Sequence, residues 1–172
     1  MRSIKMLFVV ASLILGYSAA AVAAEKIAVV DINRAIFGSE AAQSQAKAAE
    51  SGSDFVALKA KYESAIADLQ AMAKDAESNR MTWSAEQAAE HQKKMEYSKA
   101  DADLAMRKIQ AETKQLQQRI FEQLRPKASE ALQEVVEEEG ITILLKAEAV
   151  MVASPESNIT AKVADRLNQK TK

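Results

Sequence analysis

Apolar residues recur at alternating steps of three and four over two long stretches of the chain. On a helix this spacing forms one continuous stripe, as in the seam of a coiled coil. The first stretch predicts an outbound helix with seam residues Phe55, Leu58, Tyr62, Ala65, Leu69, Met72 and Ala76. The second predicts a return helix over residues 85–139 with Met95, Ala102, Met106, Ile109, Thr113, Leu116 and Ile120, extended by Leu124, Ala128, Leu132 and Val135.

The two stripes are separated by a polar stretch near residues 78–85 that predicts a turn. Ser84 is followed three residues later by Gln87, the spacing of a capping box that opens a helix. A return helix of that length would reach roughly 80 Å at 1.5 Å per residue, too long for a compact domain. We therefore expect residues 34–139 to form an antiparallel helical hairpin that projects as an arm, with its tip near residues 78–85.

Both ends of the mature chain carry strand-like patterns instead. Residues 27–32 form a short apolar run rich in β-branched side chains, interrupted by Asp31, and residues 141–145 and 150–152 are predicted to form two strands joined by a short turn. Asn158 is placed to begin a final helix whose apolar face is Ile159, Val163, Ala164 and Leu167. The fold class expected is mainly α: a long coiled-coil hairpin on a small body of three strands plus a helix, built from residues 25–33 and 140–172.

Residues 1–24 resemble a secretory signal peptide. Arg2 and Lys5 precede an apolar stretch over residues 6–15, and Ala21 and Ala23 supply the small side chains that a signal peptidase requires. The stretch is short for a membrane span, which takes about 20 residues. A cleaved signal predicts export from the cytoplasm, and a retained anchor is the alternative.

Composition narrows the functional classes. The chain has no cysteine and one histidine, which leaves no thiolate metal site, no disulfide framework and no cysteine nucleophile. Without Arg2 and Lys5 the formal net charge falls from −1 to −3, which does not suggest nucleic-acid binding. No glycine-rich phosphate loop occurs. We expect no enzyme activity, no cofactor and no metal, and an elongated chain that assembles to bury its apolar residues.

Several residues invite functional hypotheses that have simpler alternatives. His91 is interpreted as a solvated helix residue, and the acidic run at residues 137–139 as a solvated helix end. Near the arm tip, exposed methionines and a tryptophan suit a surface that accepts varied apolar partners. Trp83 could equally plug the space between the two helices. The candidate contact residues are Met72, Met81, Trp83 and Met95.

The order of these features resembles the Skp family of periplasmic chaperones, also called OmpH-like proteins. The resemblance spans the mature chain, from residues 26–31 through the hairpin to residues 141–145, 149–152 and 158–163. It implies a homotrimer whose β-rich body holds three arms around a cavity for unfolded outer membrane proteins, without ATP. The residues expected to build the oligomerisation body are Ile27, Val29, Val30, Ile141, Ile143, Leu145, Val150 and Val152.

One departure from the family concerns charge. Many members have cationic arms that attract acidic clients and lipopolysaccharide, whereas acidic side chains outnumber basic ones over residues 54–139 here. We assign no lipopolysaccharide site and expect at most weak contact with that lipid or with a membrane surface. The leading alternative function is a structural coiled-coil adaptor or spacer of the bacterial envelope.

Overall fold

The computed structural model describes residues 25–172, so the expected signal peptide and its cleavage site lie outside the described residues. Over residues 25–172 the fold contains five α-helices and two short β-strands, with single 3₁₀ turns at Ala147–Ala149 and Pro155–Ser157. The regular elements are β1 (Ile27–Val30), α1 (Ile32–Phe37), α2 (Glu40–Glu50), α3 (Ser53–Asn79), α4 (Ala85–Glu138), β2 (Ile143–Lys146) and α5 (Thr160–Lys170).

Short polar residues and glycines divide residues 32–79 into the three helices α1, α2 and α3. The Asp31 carboxylate accepts a hydrogen bond from the Arg34 backbone N–H at 2.9 Å and caps α1. Gly38 ends α1, and the buried Ser39 hydroxyl then caps α2 by accepting from the Ala42 N–H at 3.2 Å. Gly52 stands between α2 and α3. Glycine and serine thus mark both of the breaks between these helices.

Helices α3 and α4 run antiparallel and form the arm. Every seam residue expected from the spacing is at least partly buried, and Ala65, Ala102, Ile120, Leu124, Ala128 and Val135 are buried. At 1.5 Å per residue, the 54 residues of α4 span about 81 Å. The predicted hairpin is present in the structure.

The sheet differs from the expected one. Strands β1 and β2 pair in parallel, with Ile27 opposite Ile143 and Val30 opposite Lys146. The prediction of a third strand at residues 150–152 is wrong. Residues 147–149 form a 3₁₀ turn, and Val152 lies exposed in irregular structure.

A physical reason for the missing hairpin lies in the connecting residues. A tight β-hairpin favours glycine, asparagine or aspartate in its turn, and none of these occurs over residues 146–149. The side of β1 that faces away from β2 is instead occupied by the segment before α5. There the Ile159 N–H donates to the Val29 carbonyl at 3.0 Å, beside an isolated bridge between Val29 and Asn158.

The core lies where α5 packs against the end of α4. Ile159, Val163 and Leu167 on α5 are completely or almost completely buried, which confirms the predicted apolar face. Ala128 and Ala131 on α4 are fully buried in the same core. Helix α1 and the last third of α4, both placed in the arm by the sequence interpretation, contribute to this core as well.

Charged side chains on α5 reinforce the same contact. Arg166 donates to Glu134 Oε2 at 2.9 Å and to Glu138 Oε2 at 2.6 Å, and Lys170 Nζ lies 2.6 Å from Glu134 Oε1. Hydrogen bonds from Lys170 and Arg166 lower the pKa of Glu134, and the bond from Arg166 lowers the pKa of Glu138.

The end of α4 is therefore not simply solvated, contrary to the expectation for residues 137–139. Glu139 pairs with Lys162 and with Lys26, whose Nζ lies 2.9 Å from Oε2, and these contacts lower the pKa of Glu139. The cations also offset the partial negative charge at the C-terminus of α4. This explains how acidic residues are tolerated there, since positive charge arrives from two segments distant in sequence.

Replacing Leu167 with alanine should lower the free energy of unfolding by about 2–5 kcal/mol, because a fully buried leucine leaves a cavity between α5 and α4. Urea titration followed by circular dichroism, at a fixed protein concentration, measures this. The exposed Gln169→Ala on the same helix is the control and should change stability by less than about 0.5 kcal/mol. Equal effects of the two substitutions would contradict the packing described for α5.

The ion pairs around Arg166 predict a dependence of stability on pH. Because the pKa values of Glu134 and Glu138 are lowered from 4.5 on folding, their contribution is fully present above pH 4.5 and is lost as pH falls through the lowered values. Arg166→Gln should therefore reduce Tm more at pH ~7 than at pH ~3. Thermal melts test this, with Lys99→Gln on the arm as a charge-matched control that should lack the pH-dependent difference.

Candidate functional site

The tip of the arm is a compact turn fixed by local hydrogen bonds. The Asn79 carbonyl accepts from the Thr82 N–H at 2.8 Å and from the Thr82 hydroxyl at 2.7 Å. Ser84 and Gln87 then form the predicted capping box: the Ser84 hydroxyl accepts from the Gln87 N–H at 3.2 Å, and the Gln87 side chain accepts from the Ser84 N–H at 2.8 Å. The side chain of Trp83 is thereby held beside the first turns of α4.

Trp83 is half-buried and packs on His91. Their ring centroids lie 4.5 Å apart with a tilt of 38°. The His91 side chain is only 13% exposed, so the interpretation of His91 as a solvated residue is wrong. The reason is the turn, which brings Trp83 back over α4 two helical turns beyond its start. This contact is consistent with the alternative in which Trp83 fills the space between the two helices of the arm. Contact between Trp83 and client proteins stays a prediction.

The same histidine faces one carboxylate. His91 Nε2 is buried without a hydrogen-bond partner among the described residues, and it lies 3.8 Å from Asp75 Oδ2. That separation is longer than a hydrogen bond. Asp75 also accepts from the Asn79 side chain at 2.7 Å. At the tip, Trp83 therefore stacks on His91 of α4, and the edge of the His91 ring faces Asp75 of α3.

The three methionines named with Trp83 are not gathered into one surface. Met81 is 89% exposed in the turn, whereas Met72 and Met95 are half-buried in the helical seam. Sequence reasoning overlooked other exposed apolar side chains on the arm: Val56 on α3 and Tyr97 and Leu104 on α4. Being large apolar residues outside the seam positions, they could have been found from the sequence.

The residues expected to form the oligomerisation body fall into two groups. Val29, Val30 and Ile141 are buried within the chain itself, and Val150 is half-buried. Ile27, Ile143, Leu145 and Val152 are exposed, together with Met151. Only the second group can offer apolar surface to another molecule without unfolding the body.

A groove beside β2 adds to that apolar surface. It has a volume of about 570 Å³ and lies between β1, α1 and β2, with Val30, Ile32, Leu132, Leu144 and Leu145 in its lining. Within the described residues β2 pairs only with β1, so its other edge has unpaired backbone groups. An unpaired edge next to exposed apolar side chains is suited to association.

The charges on the arm are mixed rather than of one sign. Lys94 Nζ lies 2.9 Å from Glu90 Oε1, and the hydrogen bond from Lys94 lowers the pKa of Glu90. Lys93 Nζ lies 5.7 Å from the centroid of the Tyr97 ring. Basic side chains on this part of α4 thus alternate with acidic and aromatic partners.

The described residues offer neither a metal-binding cluster nor a membrane-spanning helix. Across residues 25–172, acidic and histidine side chains form no group of three that could hold a metal ion. In the same part of the chain, the helices are too polar or too short to span a bilayer.

Comparison with known proteins places the chain in a family. Residues 26–167 match the sequence profile of the family described as outer membrane protein (OmpH-like). A candidate outer membrane chaperone (OmpH-like) from Caulobacter crescentus CB15 is similar in structure, with a TM-score of 0.48, 20% sequence identity and 85% of each chain covered. No curated protein matches. Since the family profile covers nearly all of the described residues, this chain belongs to the OmpH-like outer membrane protein family.

Proposed function

We propose that this protein is an ATP-independent holdase chaperone of the periplasm, which binds unfolded outer membrane proteins and prevents their aggregation during transit to the outer membrane. The OmpH-like family is a chaperone family, which supports the class of function. The proposed compartment rests on the signal-like sequence of residues 1–24.

The arm is the observation that carries the proposal. It presents Met81 to solvent at its tip and Tyr97 and Leu104 along α4. Apolar side chains spaced along an exposed arm can make many weak, non-directional contacts, which suits unfolded chains that differ in sequence. Contact with lipopolysaccharide or a membrane surface would be weak, because the charges on the arm are mixed.

Assembly would convert separate arms into a cavity. Ile27, Ile143, Leu145 and Val152 expose apolar surface around the free edge of β2, and association of copies would cover it. The number of copies, three, follows from the family resemblance. In such a homotrimer the bodies would pack together and the arms would project to one side.

A structural adaptor of the envelope is the second candidate. The ordered tip favours it, since Trp83 packed on His91 gives the arm end a defined shape that one partner could recognise. An adaptor would bind one partner strongly, whereas a holdase should bind several unrelated unfolded barrels with similar affinity.

The holdase proposal predicts suppressed aggregation. A urea-unfolded outer membrane barrel is diluted into buffer with the mature protein and without nucleotide, and light scattering is followed as the chaperone is titrated. Scattering should fall and saturate at a fixed ratio of assemblies to barrel for several unrelated barrels. Unchanged scattering, or suppression with one barrel alone, would favour the adaptor.

The assembly proposal predicts that the double substitution Ile143→Asp and Leu145→Asp lowers the mass from that of a trimer to that of a single chain. Both side chains are exposed in the single chain, so the body should stay folded while the interface acquires buried charge. Light scattering after size exclusion measures the mass, and circular dichroism checks the fold.

Thr142→Asp, which adds a charge beside the same strand at an exposed polar position, is the control and should keep the assembled mass. An unchanged mass in the double variant would show that this edge is not the interface.

A further inference from the structure

A continuous furrow runs along one side of the arm between α3 and α4. Three depressions of about 460, 390 and 400 Å³ follow one another from the body toward the tip. The first and second share Leu58, Lys61 and Lys108, and the second and third share Asp68 and Ser98. Each falls within the roughly 300–1,000 Å³ typical of ligand sites.

The furrow exists because the seam is built from small side chains at its centre. Ala65, Ser98 and Ala105 line the middle depression and are too short to fill the space between two helices. Leu58 and Met72 provide apolar floor toward the two ends. Leu104 and Tyr97 stand at the lip, 47% and 61% exposed. A partly apolar trough is therefore open to solvent along the arm.

Charges of opposite sign face each other across the trough. Asp54, Lys61 and Asp68 follow at intervals of seven on α3, and the lining of the depressions sets them near Lys108, Asp101 and Lys94 on α4. Within the described residues, none of these three cross-furrow pairs forms an ion pair within 4.0 Å. Glu112 adds a fourth carboxylate to three lysines in the lining, so the rims carry a formal charge of −1, and without these cross-furrow pairs the trough stays open.

The dimensions fit an extended polypeptide. From Asp54 to Met72 the furrow follows 18 residues of helix, or about 27 Å at 1.5 Å per residue. An extended strand rises about 3.3 Å per residue, so about eight residues span that distance. A barrel strand that crosses the outer membrane has about 9–11 residues of alternating apolar and polar character. Rims of mixed sign and low formal charge suit such a segment better than a strongly acidic or basic peptide.

From this geometry we infer that each arm binds one unfolded, strand-forming segment of an outer membrane barrel in this furrow. Alternate apolar side chains of the segment enter the trough beside Leu104 and Tyr97, and the polar ones face the charged rims. The inference deepens the proposed holdase function and rests on it. In place of contacts scattered over the arm, it assigns client binding to one furrow, which takes a segment of about eight residues with alternating apolar and polar side chains.

A fluorescent probe can report occupation of the furrow, because the chain has no cysteine of its own. Leu104→Cys and Val56→Cys are each labelled with an environment-sensitive dye; Val56 is similarly exposed, at 51%, but does not line the furrow. The probe ligand is an eight-residue peptide in which leucine alternates with threonine. A peptide of the same composition with its leucines grouped together is the matched control.

The alternating peptide should shift the emission of the dye at position 104 to shorter wavelength, and should bind on the order of tenfold more tightly than the grouped peptide. The dye at position 56 should not respond. In unlabelled protein, the double substitution Leu104→Asp and Tyr97→Asp should weaken peptide binding by a similar factor, whereas Val56→Asp should not. Circular dichroism should show all variants folded, since these side chains are exposed.

Equal binding of the two peptides, a response at position 56, or unchanged binding by the double variant would each overturn the furrow site. The scattering assay separates this failure from that of the proposed function. Suppressed aggregation without peptide selectivity refutes the furrow alone, and peptide selectivity without suppressed aggregation refutes the holdase alone. A dye at position 104 that is already shielded, together with a lower assembled mass in the double variant, would show that a second copy of this chain fills the furrow.

Discussion

The docking of α5 is the constraint on which the rest of the body depends. Its apolar face is buried against α4. Its polar side chains form hydrogen bonds and ion pairs with residues of three parts of the chain. The Thr160 hydroxyl accepts from the Asp31 N–H at 2.9 Å, and the Asn168 side chain accepts from the Glu40 N–H at 2.8 Å. Arg166 binds Glu134 and Glu138 on α4. One short C-terminal helix thereby fixes β1, the start of α2 and the end of α4 together.

The arm follows a different balance of forces. Two helices alone can bury only one side of each, so the seam holds the pair together while most of the surface remains in water. Small residues in the middle of the seam leave the furrow, and off-seam apolar residues such as Leu104 stay exposed. The features that limit burial within one chain are the same ones that make surface available for binding another.

Local patterns predicted the helical elements well. The seam of the arm, the capping box at Ser84 and the buried face of α5 are all confirmed, because each depends on residues close in sequence. The predictions that failed depend on distant partners. His91 is covered by Trp83 through the geometry of the turn, and Glu139 is paired by Lys26, which lies 113 residues away.

The sequence by itself therefore determined that the chain is a long helical hairpin with apolar strand-like ends, since helix periodicity and capping act over a few residues. Only the tertiary structure decided that β1 and β2 pair in parallel, that residues 150–152 form no third strand, and which apolar residues remain exposed. The same is true of the furrow, which arises from the register of two helices and not from either alone. The physical reason is that pairing and burial are properties of two segments together, and the local pattern of either segment alone does not specify its partner.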